Sequence, residues 1–167
     1  SYTFTPTPPY WAYQALNKAL INPMGNTELA YEPRMSADGS RVLNEFTGQL
    51  YWNSFALLGQ VPDPSSTDVH FLMTLTPDAS RILVLRQTYT TSSKQVLDSQ
   101  AIDVYNTSQF SGGFFAKIGS LPITTDASIC NQNFDDCHYG NQYLLPSVDS
   151  KTLFWIGNQN MQVFSIP

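Results

Sequence analysis

Thr76-Pro77-Asp78-Ala79-Ser80-Arg81-Ile82-Leu83-Val84-Leu85 is the stretch that decides the fold. It begins as a polar turn, in which the proline takes the position that suits its fixed φ. It continues as four apolar residues in succession, which is typical of a strand buried on both faces. The stretch therefore predicts a tight turn that leads into a core strand.

The same phrase occurs about three times along the chain. Ser36–Leu43 reads SADGSRVL, and a shorter copy at Pro146–Leu153 reads PSVDSKTL. A second phrase closes each unit with a proline, at Gly59–Pro62, Gly119–Pro122 and Phe164–Pro167. Two phrases that recur in the same order predict one supersecondary unit used repeatedly.

Each copy of the turn phrase contains one acid, which is Asp38, Asp78 or Asp149. An aspartate in such a turn accepts hydrogen bonds from nearby backbone N–H groups and fixes the turn. A catalytic group is needed once, whereas these acids recur with the repeat. We therefore interpret them as turn-forming residues, and no catalytic residue is predicted.

Alternating and continuous apolar runs predict strands through most of the chain. Residues 10–22 are compatible with a short helix ended by Pro23. The second unit is predicted as four strands at Val69–Leu75, Arg81–Tyr89, Gln95–Tyr105 and Phe114–Leu121. The strands predicted before it are Glu28–Met35, Arg41–Phe46, Leu50–Trp52 and Phe55–Val61.

The order of these phrases resembles a YVTN-type β-propeller repeat. The resemblance is clearest at 69–122, and residues 28–62 and 143–167 are partial copies. It departs from the family at Ala79, where glycine is usual. The resemblance implies an all-β fold of antiparallel four-stranded propeller blades, with residues 10–167 as a single domain of about three blades.

Three blades are fewer than a closed propeller has, since closure typically takes at least four. We therefore expect an incomplete propeller, completed by another chain, by a missing segment or by a homo-oligomer, because open blades leave unpaired sheet edges. A β-sandwich is the alternative architecture.

An insertion at 124–142 interrupts the repeat and contains both cysteines, Cys130 and Cys137. In an oxidising compartment they are expected to form a disulfide that closes a small loop, and two reduced thiols are the alternative. The insertion is also rich in oxygen donors, the atoms that Ca²⁺ prefers. Its candidate calcium ligands are Asp126, Asp135 and Asp136, and a solvated loop without metal is the other interpretation.

Two aromatic residues of the same region, Tyr139 and Tyr143, are candidate ligand-binding residues. An aromatic ring can pack against a sugar or against an apolar surface. Amide-rich loops of the chain would supply hydrogen bonds to the hydroxyls of a sugar. The interpretation that competes with this one is that aromatic residues at strand positions belong to the core.

Composition and charge exclude some classes of function. Apolar residues make up 42% of the chain and charged residues only 13%, with a net charge of -5. The eight basic residues are scattered, so a nucleic-acid partner is not expected. No apolar run is long enough to span a bilayer, and residues 1–9 are predicted to be a Thr/Pro-rich linker tail.

These observations lead us to expect an extracellular protein, secreted or at the cell surface. The leading hypothesis is a non-enzymatic binding or scaffolding module with a protein or glycan ligand. One alternative is a fragment of a propeller enzyme whose catalytic groups lie elsewhere. Another is a carbohydrate-binding domain.

Overall fold

The structure, a computed structural model, describes residues 34–54, 56–93, 96–124, 142–157 and 160–167. The predicted tail at 1–9 and the possible helix at 10–22 lie outside these ranges. Every regular element within them is a β-strand, so the all-β prediction is confirmed. The strands are β1 (Arg34–Met35), β2 (Arg41–Asn44), β3 (Gln49–Trp52), β4 (Leu57–Gln60), β5 (Asp68–Leu75), β6 (Arg81–Tyr89), β7 (Leu97–Ser111), β8 (Phe114–Ile123), β9 (Tyr143–Pro146), β10 (Thr152–Gly157) and β11 (Asn160–Ser165).

The strands form three antiparallel meanders in sequence order. We call β1–β4 the first meander, β5–β8 the second and β9–β11 the third. The three copies of the turn phrase occupy the same place in each, between the first and second strands. The repeated phrase of the sequence therefore corresponds to a repeated hairpin.

The first two meanders join into one eight-stranded sheet with the order β1-β2-β3-β4-β8-β7-β6-β5. Strands β4 and β8 run parallel and meet where the N–H of Gln60 donates to the carbonyl of Gly113 at 3.0 Å. The end strands β1 and β5 also contact each other, so the sheet is nearly closed and barrel-like. The third meander is a separate three-stranded sheet with the order β11-β10-β9.

Strand β6 is buried on both faces, as the sequence predicts, with Ile82, Leu83, Val84 and Leu85 each 0% exposed. Ile82 and Val84 face the first meander, and Leu83 and Leu85 face the third. The second meander is thus the middle of three layers. The first core layer contains Leu43, Leu50, Val61, Met73, Leu75, Ile82, Val84, Tyr105 and Phe115, and the second contains Leu83, Leu85, Ile102, Val104, Ile123, Leu144, Leu153 and Trp155.

The repeated aspartates form the turns, which confirms their interpretation as structural residues. Asp38 accepts hydrogen bonds from the Ser36 hydroxyl at 2.6 Å and from the N–H of Ser40 at 3.0 Å. Asp78 accepts the same pair of bonds from Thr76 and Ser80 at 2.7 and 3.0 Å. The third copy repeats the pattern, since Asp149 accepts from Ser147 at 2.6 Å and from the N–H of Lys151 at 3.1 Å.

The turns also contact one another across the layers. The N–H of Ala37 donates to the carbonyl of Pro77 at 2.7 Å. The N–H of Asp78 donates to the hydroxyl of Ser150 at 3.1 Å. Consecutive turns therefore lie side by side along one edge of the stack.

The turn carboxylate of Asp38 predicts an acid-sensitive fold. Hydrogen bonds from the Ser36 hydroxyl, then from the N–H and hydroxyl of Ser40, lower the pKa of Asp38 to about 2. A carboxyl with a lowered folded pKa stabilises the fold above its unfolded pKa, and this contribution is lost as the pH falls towards the folded value. We expect the free energy of unfolding to decrease between about pH 4 and pH 2. Urea denaturation across this range should show a smaller decrease in Asp38→Asn, and equal decreases would contradict the prediction.

The proline-ended closing phrase lies on a different strand in the third meander than in the first two. In the first two meanders it lies on the fourth strand, with Gly59 in β4 and Gly119 in β8. In the third, Phe164 and Ser165 belong to β11, which pairs with β10 as a third strand. Within the described residues the third meander therefore has three strands, and β11 is its edge.

Candidate functional site

A cleft opens between the first and second meanders because their strands differ in length. Strands β2 and β3 have four residues each, whereas β6 has nine. At about 3.3 Å per residue, the second meander extends well beyond the end of the first. The end of its face near Arg86 and Thr88 is therefore only partly covered, and both of these residues are half-buried.

The β2–β3 turn forms one wall of this cleft. The side-chain oxygen of Asn44 accepts from the N–H groups of Phe46 and Thr47 at 3.0 and 3.2 Å, which tightens the turn. Gly48 has φ +69°, and a Cβ there would lie 2.9 Å from the Cβ of Val61. Glycine therefore allows both the left-handed backbone and the close approach of the turn to the next segment.

The cleft has a volume of about 420 Å³. This is within the range of small-molecule sites in proteins, about 300–1,000 Å³. Buried Val61 and Met73 lie at its base, and exposed Phe46 lies at its rim. Its polar lining residues are Thr47, Gln49, Gln60, Asp63, Asp68 and His70.

The carboxylate of Asp103 is buried beneath the charged groups of this face, and its side chain is 2% exposed. One oxygen accepts from Lys117 at 2.8 Å and from Ser120 at 2.6 Å, and the other accepts from Arg86 at 2.9 Å. Burial by itself raises the pKa of a carboxyl, but hydrogen bonds from these three donors outweigh it and lower the pKa of Asp103. Asp103 is therefore a structural anion and is already saturated with donors.

Arg86 links this buried group to the cleft. Its guanidinium lies 3.5 Å from the carboxylate of Asp68 and also contacts the hydroxyl of Thr88. Asp68 accepts from Thr88 at 2.7 Å and from Ser65 at 2.9 Å. The arginine is thus held between two carboxylates, and its positive charge is neutralised within the protein.

Four lining side chains keep hydrogen-bonding capacity that the described residues do not use. His70, Gln60 and Asp63 have no side-chain hydrogen bond within the described part of the chain. The oxygen of Gln49 accepts from the hydroxyls of Thr47 and Tyr51, which leaves the amide NH₂ available.

The imidazole of His70 is uncharged at neutral pH. Burial lowers the pKa of His70, an effect that the nearby acids Asp103 and Asp68 only partly oppose. A neutral imidazole carries one donor and one acceptor. The polar groups of the cleft therefore comprise amides, an imidazole and carboxylates.

A second exposed feature lies on the opposite side of the molecule. The residues of the third meander alternate, so that Leu144, Leu153 and Trp155 face the core. The register places the intervening residues in two cross-strand rows on the other face. We call this set the apolar outer face: Tyr143, Ile156 and Met161 in one row, and Leu145, Phe154 and Val163 in the other.

One of the sequence-predicted site residues lies within the described part of the chain. Tyr143 begins β9 and is 50% exposed on the apolar outer face, away from the cleft. Both cysteines, Tyr139 and the calcium candidates lie in the segment that the structure does not describe. The described residues contain no group of three or more His, Cys, Asp or Glu that would hold a metal. The predictions that lie outside those residues stay predictions: Cys130, Cys137, Tyr139, Asp126, Asp135 and Asp136.

The ends of the insertion are held by side-chain amides. The amide of Gln162 on β11 makes two hydrogen bonds with the backbone of Thr124, at 3.1 and 2.8 Å. At the other end, the indole N–H of Trp155 donates to the amide oxygen of Gln142 at 3.1 Å. Both ends of the insertion are therefore fixed to the third meander.

Neither the cleft nor the apolar outer face was predicted from the sequence. One signal for the charged cluster was present, since Asp103 is a lone acid inside the apolar run Ala101–Tyr105. The outer face also had a signal, because apolar residues occupy successive positions in β9 and β10 where a half-exposed strand would alternate with polar ones.

No helix within the described residues has the length and apolar character needed to cross a membrane. Comparison of the chain with protein-family models, with curated proteins and with solved structures finds no match.

Proposed function

We propose that this chain is a non-enzymatic scaffolding and binding module, built from propeller-type blades, that assembles through its apolar outer face. The observation that carries the proposal is the exposure of that face. Its members Met161 and Val163 are 62% and 54% exposed, and Tyr143 is 50% exposed. Monomeric soluble proteins rarely expose large contiguous apolar patches, and those that occur commonly mark interaction sites.

Equivalent positions in the three meanders support a role for the apolar outer face in assembly. When the three copies are aligned on their turn aspartates, the equivalent positions are Leu43, Leu83 and Phe154. Leu43 packs against the second meander, and Leu83 packs against the third. Phe154 occupies the position whose equivalents are covered by the next layer. By the same periodicity, the apolar outer face is the surface on which a further sheet of the same kind packs.

Propeller-type blades also account for the order of the layers better than a sandwich does. A sandwich has two sheets around one core, whereas the second meander here has a core layer on each of its faces. The first strands of adjacent meanders contact each other, so the stack has a common inner edge. The extracellular assignment that belongs to this proposal rests on the low charge and the cysteine pair of the sequence.

The proposal is tested by measuring self-association. In a solution of this chain alone, the sheet that can cover the apolar outer face is the one supplied by a second copy. Two outer faces pack without like-charge contacts, since their six residues are uncharged. We expect sedimentation velocity at increasing concentration to show a dimer, and Val163→Glu to be monomeric. A carboxylate buried in an apolar interface costs several kcal/mol, which weakens association far more than about tenfold.

Val148→Glu is the matched control, because Val148 is 90% exposed at a turn outside the outer face. It should dimerise as the unsubstituted chain does. Both variants should unfold within about 0.5 kcal/mol of that chain, since neither position is buried in the monomer. A monomer at all concentrations, or equal effects of the two variants, would refute assembly through this face.

A further inference from the structure

We propose that the cleft between the first and second meanders binds a neutral polyhydroxylated ligand, namely a single pyranose unit of a glycan. This goes beyond the assembly function, because the cleft lies on the far side of the second meander from the apolar outer face. Either surface can therefore act without the other.

The charges of the cleft disfavour an anionic ligand. Its lining residues, all of them described, include no lysine or arginine. Arg86 is paired with His70 on the neighbouring strand, and it is already held by Asp68 and Asp103. Phosphate or sulfate would meet two carboxylates without a free guanidinium or ammonium, and those are the groups that bind such anions in proteins.

The unused hydrogen-bonding groups suit hydroxyls, which donate and accept at the same atom. The amides of Gln49 and Gln60 supply donors, and the neutral imidazole of His70 supplies one donor and one acceptor. The carboxylate of Asp63 accepts. Such a mixture satisfies a ring of hydroxyls without requiring a charge on the ligand.

The apolar lining of the cleft suits the C–H groups on the face of a sugar ring. Phe46 is 58% exposed at the rim, and Pro62 and Pro64 line the cleft from the segment between the meanders. A pyranose has a face of C–H groups, and aromatic and proline rings offer flat apolar surfaces for it. The hydrogen-bonding amides and the apolar rim thus match the two sides of one sugar unit.

Saturation-transfer NMR with methyl pyranosides of glucose, galactose and mannose tests the proposal. Inorganic phosphate and ethylammonium serve as probes of the anionic and cationic classes. We expect at least one pyranoside to bind and to shift the imidazole signals of His70, while the two ionic probes do not. The chain has two histidines, so His70→Asn assigns these signals.

Gln60→Ala should weaken pyranoside binding about three- to tenfold, because it removes hydrogen bonds between neutral groups. Gln109→Ala is the matched control, since Gln109 is an exposed glutamine of β7 that does not line the cleft. Asp63→Ala, in an exposed segment without hydrogen bonds of its own, should also weaken binding with no effect on folding. The proposal is overturned if no pyranoside binds, if phosphate or ethylammonium binds more tightly, or if Gln60→Ala and Gln109→Ala have the same effect.

Discussion

Asp103→Asn is expected to destabilise the protein by about 3 kcal/mol at neutral pH, measured by urea denaturation. The carboxylate accepts from Lys117, Ser120 and Arg86, with both of its oxygens engaged. Asparagine has nearly the same shape but places an NH₂ group against one or more of these donors. The substitution therefore removes the negative charge and leaves a cation without its partner in the face of the second meander. Breaking a buried ion pair in this way costs several kcal/mol.

Asp98→Asn is the matched control for this prediction. Asp98 lies on the same strand, β7, but its side chain is exposed. We expect a change within about 0.5 kcal/mol, as for most surface substitutions. Equal effects of the two substitutions would show that Asp103 contributes no more than a surface carboxylate.

Ser120→Ala should have an intermediate effect, because it removes one neutral donor and keeps both ion pairs.

Much of the second meander was predictable from local sequence. The strand β6 was predicted at Arg81–Tyr89 and has those bounds in the structure. The continuous apolar run at its start predicted burial on both faces, and the two core layers confirm it. Local sequence was enough to predict this strand, because a tight turn followed by a continuous apolar run in a β protein indicates a buried strand.

Strand β7 shows where local signals failed. We predicted that it ends at Tyr105. It continues to Ser111, with a shift in register between Asn106 and Phe110. The chain reverses instead at Gly112 and Gly113, which have φ of +60° and +87°. Polar residues at 106–108 are tolerated in the strand because this end of β7 lies beyond the buried core.

The cleft and the charged cluster were not predictable, because both depend on contacts between distant segments. The cleft exists because β2 and β3 are short and β6 is long, and because these strands lie in adjacent layers. Asp103 meets Arg86 and Lys117 only through the register of three strands. A sequence shows that a lone acid lies in an apolar strand, but the identity of its partners follows from the pairing of strands.

Trp155→Ala has the other large expected effect, a loss of about 4 kcal/mol in the free energy of unfolding. Trp155 is 0% exposed and is the largest fully buried side chain of the described residues. It fills the second core layer, and a Cβ at Gly157 would lie 2.8 Å from its ring. The indole N–H also donates to Gln142 at the end of the insertion. Alanine therefore leaves a cavity between the second and third meanders and removes a hydrogen bond.

Trp52→Ala provides the comparison, because Trp52 is 39% exposed and its ring contacts the guanidinium of Arg41 at 3.1 Å. Loss of this cation–π contact should cost about 0.5–1 kcal/mol. Far-UV circular dichroism is the appropriate measurement, since both substitutions alter tryptophan fluorescence directly. If Trp155→Ala were no more destabilising than Trp52→Ala, the third meander would contribute little to the core of the second. The apolar outer face would then be the surface of a loosely attached sheet, and the proposed assembly would lose its rigid platform.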